Sequence, residues 1–100
     1  MKSILLYLII PVWTFTSVQQ EIRSTVDGQT EILNAKVEVI AYSNKICFVG
    51  KITECHYIIE KYKNQYTLAN RVIVRVFEDR IIVNDDYENA VLYKEKRFEN

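Results

Sequence analysis

From Ile22 onward, apolar and polar residues alternate along the chain with a period of two, the signature of half-buried β-strands. Ile22, Ser24 and Val26 alternate with Arg23 and Thr25 until Asp27-Gly28 interrupts them. That dipeptide predicts a two-residue hairpin turn, because Asn, Asp and Gly tolerate the positive φ angles of a type I′ turn. Such a turn would set Val26 opposite Gln29 and Ile22 opposite Leu33. The return strand then carries Leu33, Ala35, Val37, Val39 and Ala41 on one face, with Asn34, Lys36, Glu38 and Tyr42 on the other.

Further strands follow between turn signals. Ser43-Asn44 precedes a short strand at Ile46–Val49, and Cys55–Tyr62 forms a longer one. After a turn at Lys63-Asn64-Gln65, Tyr66–Phe77 reads as one strand, with Leu68, Val72, Val74 and Val76 on one side and Ala69, Arg71, Ile73 and Arg75 on the other. A two-residue turn at Glu78-Asp79 would pair Val76 with Ile81 and Val74 with Val83, so the inward faces agree across the hairpin. Ala90–Tyr93 reads as a last strand, although Asp85 with Glu88 three residues on resembles a helix capping box and makes a short helix the competing assignment.

Six or seven strands in so short a chain predict an all-β fold. It is a small antiparallel β-meander curled into an open barrel or two-layer sandwich, with room for one short helix at either end. No repeat, linker or second domain interrupts it. An apolar leader helix is expected in front of it.

The leader rests on residues 1–20. Lys2 is followed by the apolar run Ile4–Trp13 and by Thr14, Thr16 and Ser17, with no charge between Lys2 and Glu21. This is the layout of a secretory signal peptide with cleavage after Thr16 or Ser17, leaving a single β-domain at residues 18–100. Two other readings compete. As a kept membrane anchor the segment would run to residue 20, but Ile4–Val18 is 15 residues, short of the ~20 that cross a bilayer. As a buried first strand it would belong to the fold. Export to a periplasmic or extracellular destination is the expectation, with anchoring through residues 4–18 as the alternative.

An exported chain gives its two cysteines an oxidising setting. A hairpin turning at Gly50-Lys51-Ile52 would place Cys47 opposite Cys55, within disulfide reach. The spacing is not C-x-x-C, and His56, next to Cys55, would point to the opposite face of a strand, so a structural bond is expected and not a redox pair.

Composition narrows the function classes. Thirteen Lys+Arg balance thirteen Asp+Glu, which argues against a nucleic-acid partner needing a basic excess. With one histidine and two bridged cysteines a zinc site is not expected, and no G-x-S-x-G, H-E-x-x-H or phosphate-loop motif occurs. The acidic cluster Asp85, Asp86 and Glu88 lacks the spacing and glycine of a calcium loop and reads as a solvated turn. Neither catalysis nor a cofactor is expected.

What remains is recognition. Strand parity gathers Arg71, Ile73, Arg75 and Phe77, with Arg80 and Ile82 across the turn, and arginine and aromatic residues are enriched at protein interfaces. The competing reading makes the apolar members part of a barrel wall with arginines at its rim. The expected function is a small exported, non-enzymatic β-domain that binds another protein, of inhibitor, immunity, exclusion or envelope-adaptor type. The alternatives are a carrier of a small apolar ligand, in a pocket lined by Val37, Val39, Leu68, Val72 and Val74, and a membrane-tethered accessory protein. A membrane contact is expected only through a retained leader.

Overall fold

A computed structural model describes residues 10–99. The expected leader helix falls largely on residues 1–9, outside the described residues. The described chain is all-β, without a helix: β1 Trp13–Ser17, β2 Gln19–Ser24, β3 Thr30–Leu33, β4 Val37–Ala41, β5 Lys45–Val49, β6 Thr53–Tyr62, β7 Gln65–Leu68, β8 Ile73–Val76, β9 Arg80–Asn84 and β10 Glu88–Tyr93. All ladders are antiparallel, in the order β1-β4-β5-β6-β7-β8-β9-β10-β2-β3, and the sheet curls into a half-barrel. β4 to β10 form the expected meander.

Two corners produce the curl. At the first, β6 carries a bulge between Ile58 and Glu60, which bends a strand and increases its twist. The part of β6 before the bulge pairs with β5 and the part after it with β7. At the second corner, β1 and β2 are one run of chain bent at Val18, and the opposing run bends at residues 34–36 between β3 and β4. β1 pairs with β4, while β2 lies between β10 and β3. One long bent hairpin therefore joins the two ends of the sheet.

The alternation places the core. Val39, Ile46, Leu68, Val74 and Ile81 are fully buried, and Trp13, Phe15, Val37, Phe48, Ile58, Val72, Val76, Val83 and Ala90 pack around this cluster. At ~25 cal/mol per Å² of apolar surface removed from water, this burial is the main favourable contribution to folding.

Residues 13–17, the end of the expected leader, thus form a strand of the fold. Trp13 Nε1 donates to the Tyr66 hydroxyl at 3.1 Å, and Ser17 is 0% exposed.

Three further expectations are corrected. Asp27-Gly28 does not form a two-residue turn. Gly28 has φ +72°, but Asp27 does not share a positive φ, as type I′ requires. The loop is longer instead, closed by the Gly28 N–H on the Ser24 carbonyl and by Gln29 N–H on Asp27 Oδ1, both at 3.0 Å. Ile22 consequently faces Glu31, and Gln20 faces Leu33. The shift is two residues, so the inward face is preserved.

Tyr66–Phe77 is two strands, β7 and β8, separated by a three-residue loop at Ala69-Asn70-Arg71, with Leu68 N–H bonded to Val72 O at 2.9 Å. Lastly, the segment from Leu33 to Ala41 breaks at residues 34–36, since β3 and β4 lie in different halves of the sheet.

The C-terminal ambiguity resolves to a strand. Asp85 Oδ1 does accept N–H bonds from Tyr87 and Glu88, both at 2.7 Å, but these close the β9–β10 turn and start no helix.

Candidate interaction face and interior hollow

The hairpin β8–β9 supplies the outer face. Its two-residue turn pairs Val76 with Ile81 and Val74 with Val83, as the sequence predicts, so the intervening residues point outward. Arg75 lies opposite Ile82, and Ile73 opposite Asn84. Phe77 and Arg80 flank the turn, joined by the Phe77 N–H to Arg80 O bond at 2.9 Å. Phe77 is 42% exposed and, with Asp79, Arg80 and Ile82, lines a shallow depression of about 260 Å³.

The Arg75 guanidinium is held in place by neutral groups. Its Nε donates to Gln65 Oε1 at 3.1 Å and its Nη1 to Asn84 Oδ1 at 2.8 Å, and Asn84 in turn donates to Asn89 Oδ1 at 2.7 Å. No described carboxylate forms an ion pair with it. Arg80 differs: it is bound to Asp79 at 3.1 Å and rests over the Tyr93 ring. Hydrogen bonding from Arg80 holds the Asp79 carboxyl below its usual range.

Arg71 does not join this face. It occupies the last loop position between β7 and β8 with φ 73°, its N–H bonded to Leu68 O at 2.9 Å. A three-residue hairpin loop ends in a left-handed residue, and here an arginine takes that place. The loop interrupts the strand whose parity would have carried Arg71 onto the face, because Tyr66–Phe77 is split into β7 and β8. On the neighbouring β6, Tyr62 points outward, opposite Gln65, and is 69% exposed, and Ile58 and His56 pair with the core positions Leu68 and Ile46.

His56 opens onto the inside of the curl. It lines a hollow of about 230 Å³ with Phe48, Glu54, Asn70, Val72, Val83, Asp85, Ala90 and Leu92. Its Nε2 is buried without a hydrogen-bond partner. Glu54 Oε2 lies 3.5 Å away, close enough for charge attraction but not aligned as an acceptor. The lining supplies no hydroxyl or thiol nucleophile. No group of three or more His, Cys, Asp or Glu among the described residues could hold a metal. Val39, Leu68 and Val74, expected to line an apolar ligand pocket, are instead packed to 0% exposure.

The cysteines behave as expected. Cys47 lies opposite Cys55 and the two are bonded, with Cα atoms 4.0 Å apart. The bond is consistent with an oxidising, exported location.

The sequence reading missed a buried polar cluster at the second corner. Ser17, Gln19 and Gln20 are 0%, 0% and 4% exposed. Gln20 Nε2 donates to Ser17 Oγ and to Ala35 O; Gln19 Nε2 donates to Asn34 Oδ1 at 2.7 Å and to Phe98 O at 2.8 Å. Gln19 Oε1 accepts the Arg97 and Phe98 N–H groups. The tail thus folds over the outside of β2 and β10, where Tyr93 sits between the Arg80 and Arg97 guanidiniums and donates to Glu21 at 2.8 Å. The cue in the sequence was Gln19-Gln20 inside an otherwise apolar-to-alternating transition.

Comparison with protein-family models, with curated proteins and with solved structures finds no match for this chain.

Proposed function

We propose that this chain is a small exported, non-enzymatic binding module that engages an acidic surface of another protein through Ile73, Arg75, Phe77, Arg80 and Ile82. The observation that carries the reading is Arg75. A cation ordered by two neutral amides, with no carboxylate on it, has its geometry set before a partner arrives, which lowers the entropic cost of binding. Exposed Phe77 beside it supplies the apolar area that interface centres favour. The reading covers an inhibitor, an immunity or exclusion protein and an envelope adaptor alike.

The test is affinity capture by the full disulfide-bonded chain, with mass spectrometry of what is retained. One stoichiometric protein should be recovered, be lost with Arg75→Glu, and persist with Arg71→Glu, which sits in the β7–β8 loop. Equal recovery by both variants would remove this face from consideration.

A further inference from the structure

The inside of the curl is left unfilled at one end. β6 pairs with β5 over Thr53–Tyr57 and with β7 only from Ile58 onward. Side chains from the first half of β6 and from the β9–β10 pair therefore border one hollow of about 230 Å³. Its floor is apolar. Val83 is paired with Ala90, and these two, with Phe48 and Val72, are only half-buried, so they keep apolar surface that the core does not cover.

The remaining lining is acidic and underused. Glu54 lies opposite Phe48 on the β5–β6 ladder and shares a face with His56, two residues on. Its side chain is 63% exposed, and His56, 3.5 Å from Oε2, is its only charged neighbour among the described residues. Asp85 follows β9 and gives Oδ1 to the Tyr87 and Glu88 N–H groups, but no described residue forms an ion pair with it. None of the described lining residues is Lys or Arg. The Asn70 side chain accepts the Val72 N–H at 3.3 Å, while its own amide hydrogens have no acceptor among the described residues. His56 Nε2 is buried without a hydrogen bond, a state that costs stability until a partner arrives.

This combination selects a ligand. Two carboxylates without a cation repel an anion and gain from a positive group, more so beside apolar walls that exclude part of the water. A bare metal ion makes no use of the apolar floor, and no three acidic, histidine or cysteine side chains among the described residues are grouped to hold one. A hydrocarbon body does use that floor. We propose that the hollow binds a small arylalkylamine, its ammonium on Glu54 beside His56 and its apolar body against Phe48, Val72, Val83 and Ala90. Asp85 adds to the attraction from the end of β9. The binding is non-covalent, and it is independent of the Arg75 face, which lies on the outside of the β8–β9 hairpin.

The experiment titrates the full disulfide-bonded chain with phenethylamine at fixed pH and follows the ring signals of His56 by NMR; as the single histidine of the chain, it reports on this hollow alone. A saturable shift is expected. Phenethyl alcohol, the same body without the charge, should bind about tenfold more weakly, and phenylacetate should leave the signal in place. Ethylamine, which lacks the ring, should not saturate. Glu54→Gln should weaken phenethylamine binding by about tenfold, whereas Glu60→Gln, on the same strand beyond the bulge and outside the hollow, should leave it unchanged. An unmoved His56 signal overturns the site. Equal affinity for the alcohol, or undiminished binding by Glu54→Gln, overturns the seat of the ammonium, and an equal response to ethylamine overturns the apolar contact. A peptide beginning with phenylalanine presents the same chemical group, and tighter binding of that peptide than of the free amine would overturn the small-molecule assignment.

Discussion

Gln19 commits both ends of its amide to groups that no strand partner reaches: the Phe98 carbonyl and the Asn34 side chain on one side, the Arg97 and Phe98 N–H groups on the other. A ladder broken at a bend leaves backbone groups without partners, and each one left buried and unpaired costs ~1–3 kcal/mol. Gln19→Ala removes all four bonds at a site with 0% exposure. Because water reaches the freed tail, the expected loss is about 2–3 kcal/mol, read as a lower urea midpoint, with faster proteolysis after Lys94 or Lys96. Nothing in the alternation pattern marks Gln19 for this role, since periodicity reports which face a residue takes and not what later folds over that face. Arg71 was illegible for a related reason: the only cue to its loop is Asn70, whose Oδ1 accepts the Val72 N–H, and apolar residues on both sides masked it.

At the level of elements, turns with a fixed register were readable and corners were not. The β5–β6 and β8–β9 hairpins have the pairings expected from Gly50-Lys51-Ile52 and Glu78-Asp79, because inward-facing residues on both arms leave one consistent register. The bends at Val18, at residues 34–36 and at Ile59 carry no glycine or proline, and at residues 34–36 one run was read where two strands, β3 and β4, exist. The candidate face was legible where it lay on β8–β9 and failed at Arg71, two residues before β8. The β5–β6 hairpin also carries the covalent link. Closing the nine-residue loop Cys47–Cys55 stabilises by ~2.6 kcal/mol in the chain-entropy account. Cys47→Ala with Cys55→Ala should lower stability by about that amount in equilibrium urea unfolding, with the fold retained at low temperature. The stabilisation should also disappear from the wild type in reductant.

For the whole molecule, the junction of β2, β9, β10 and the tail contributes a pH-dependent part of stability on the alkaline side. Burial raises the Tyr93 phenol above its ordinary value of 10.0, donation to Glu21 adds to the rise, and the Arg97 and Arg80 charges oppose it more weakly. The folded state therefore holds this proton more tightly than the unfolded chain. Its contribution is fully present below pH ~10 and is lost as pH climbs through the higher folded value. Urea midpoints should be flat from neutral pH to about 9.5 and then fall, and Tyr93→Phe should fall less steeply from a lower plateau.

The long hairpin that ties the ends of the sheet together has a consequence for synthesis. Gln19 is laddered to Tyr93, so β2 leaves the ribosome well before the strand it pairs with. Until β10 has been made, β2 has no neighbour on that side and the Gln19 amide has no tail to hold. A nascent chain still short of β10 therefore holds β2 with one edge open, and the wall is completed only once that later strand arrives.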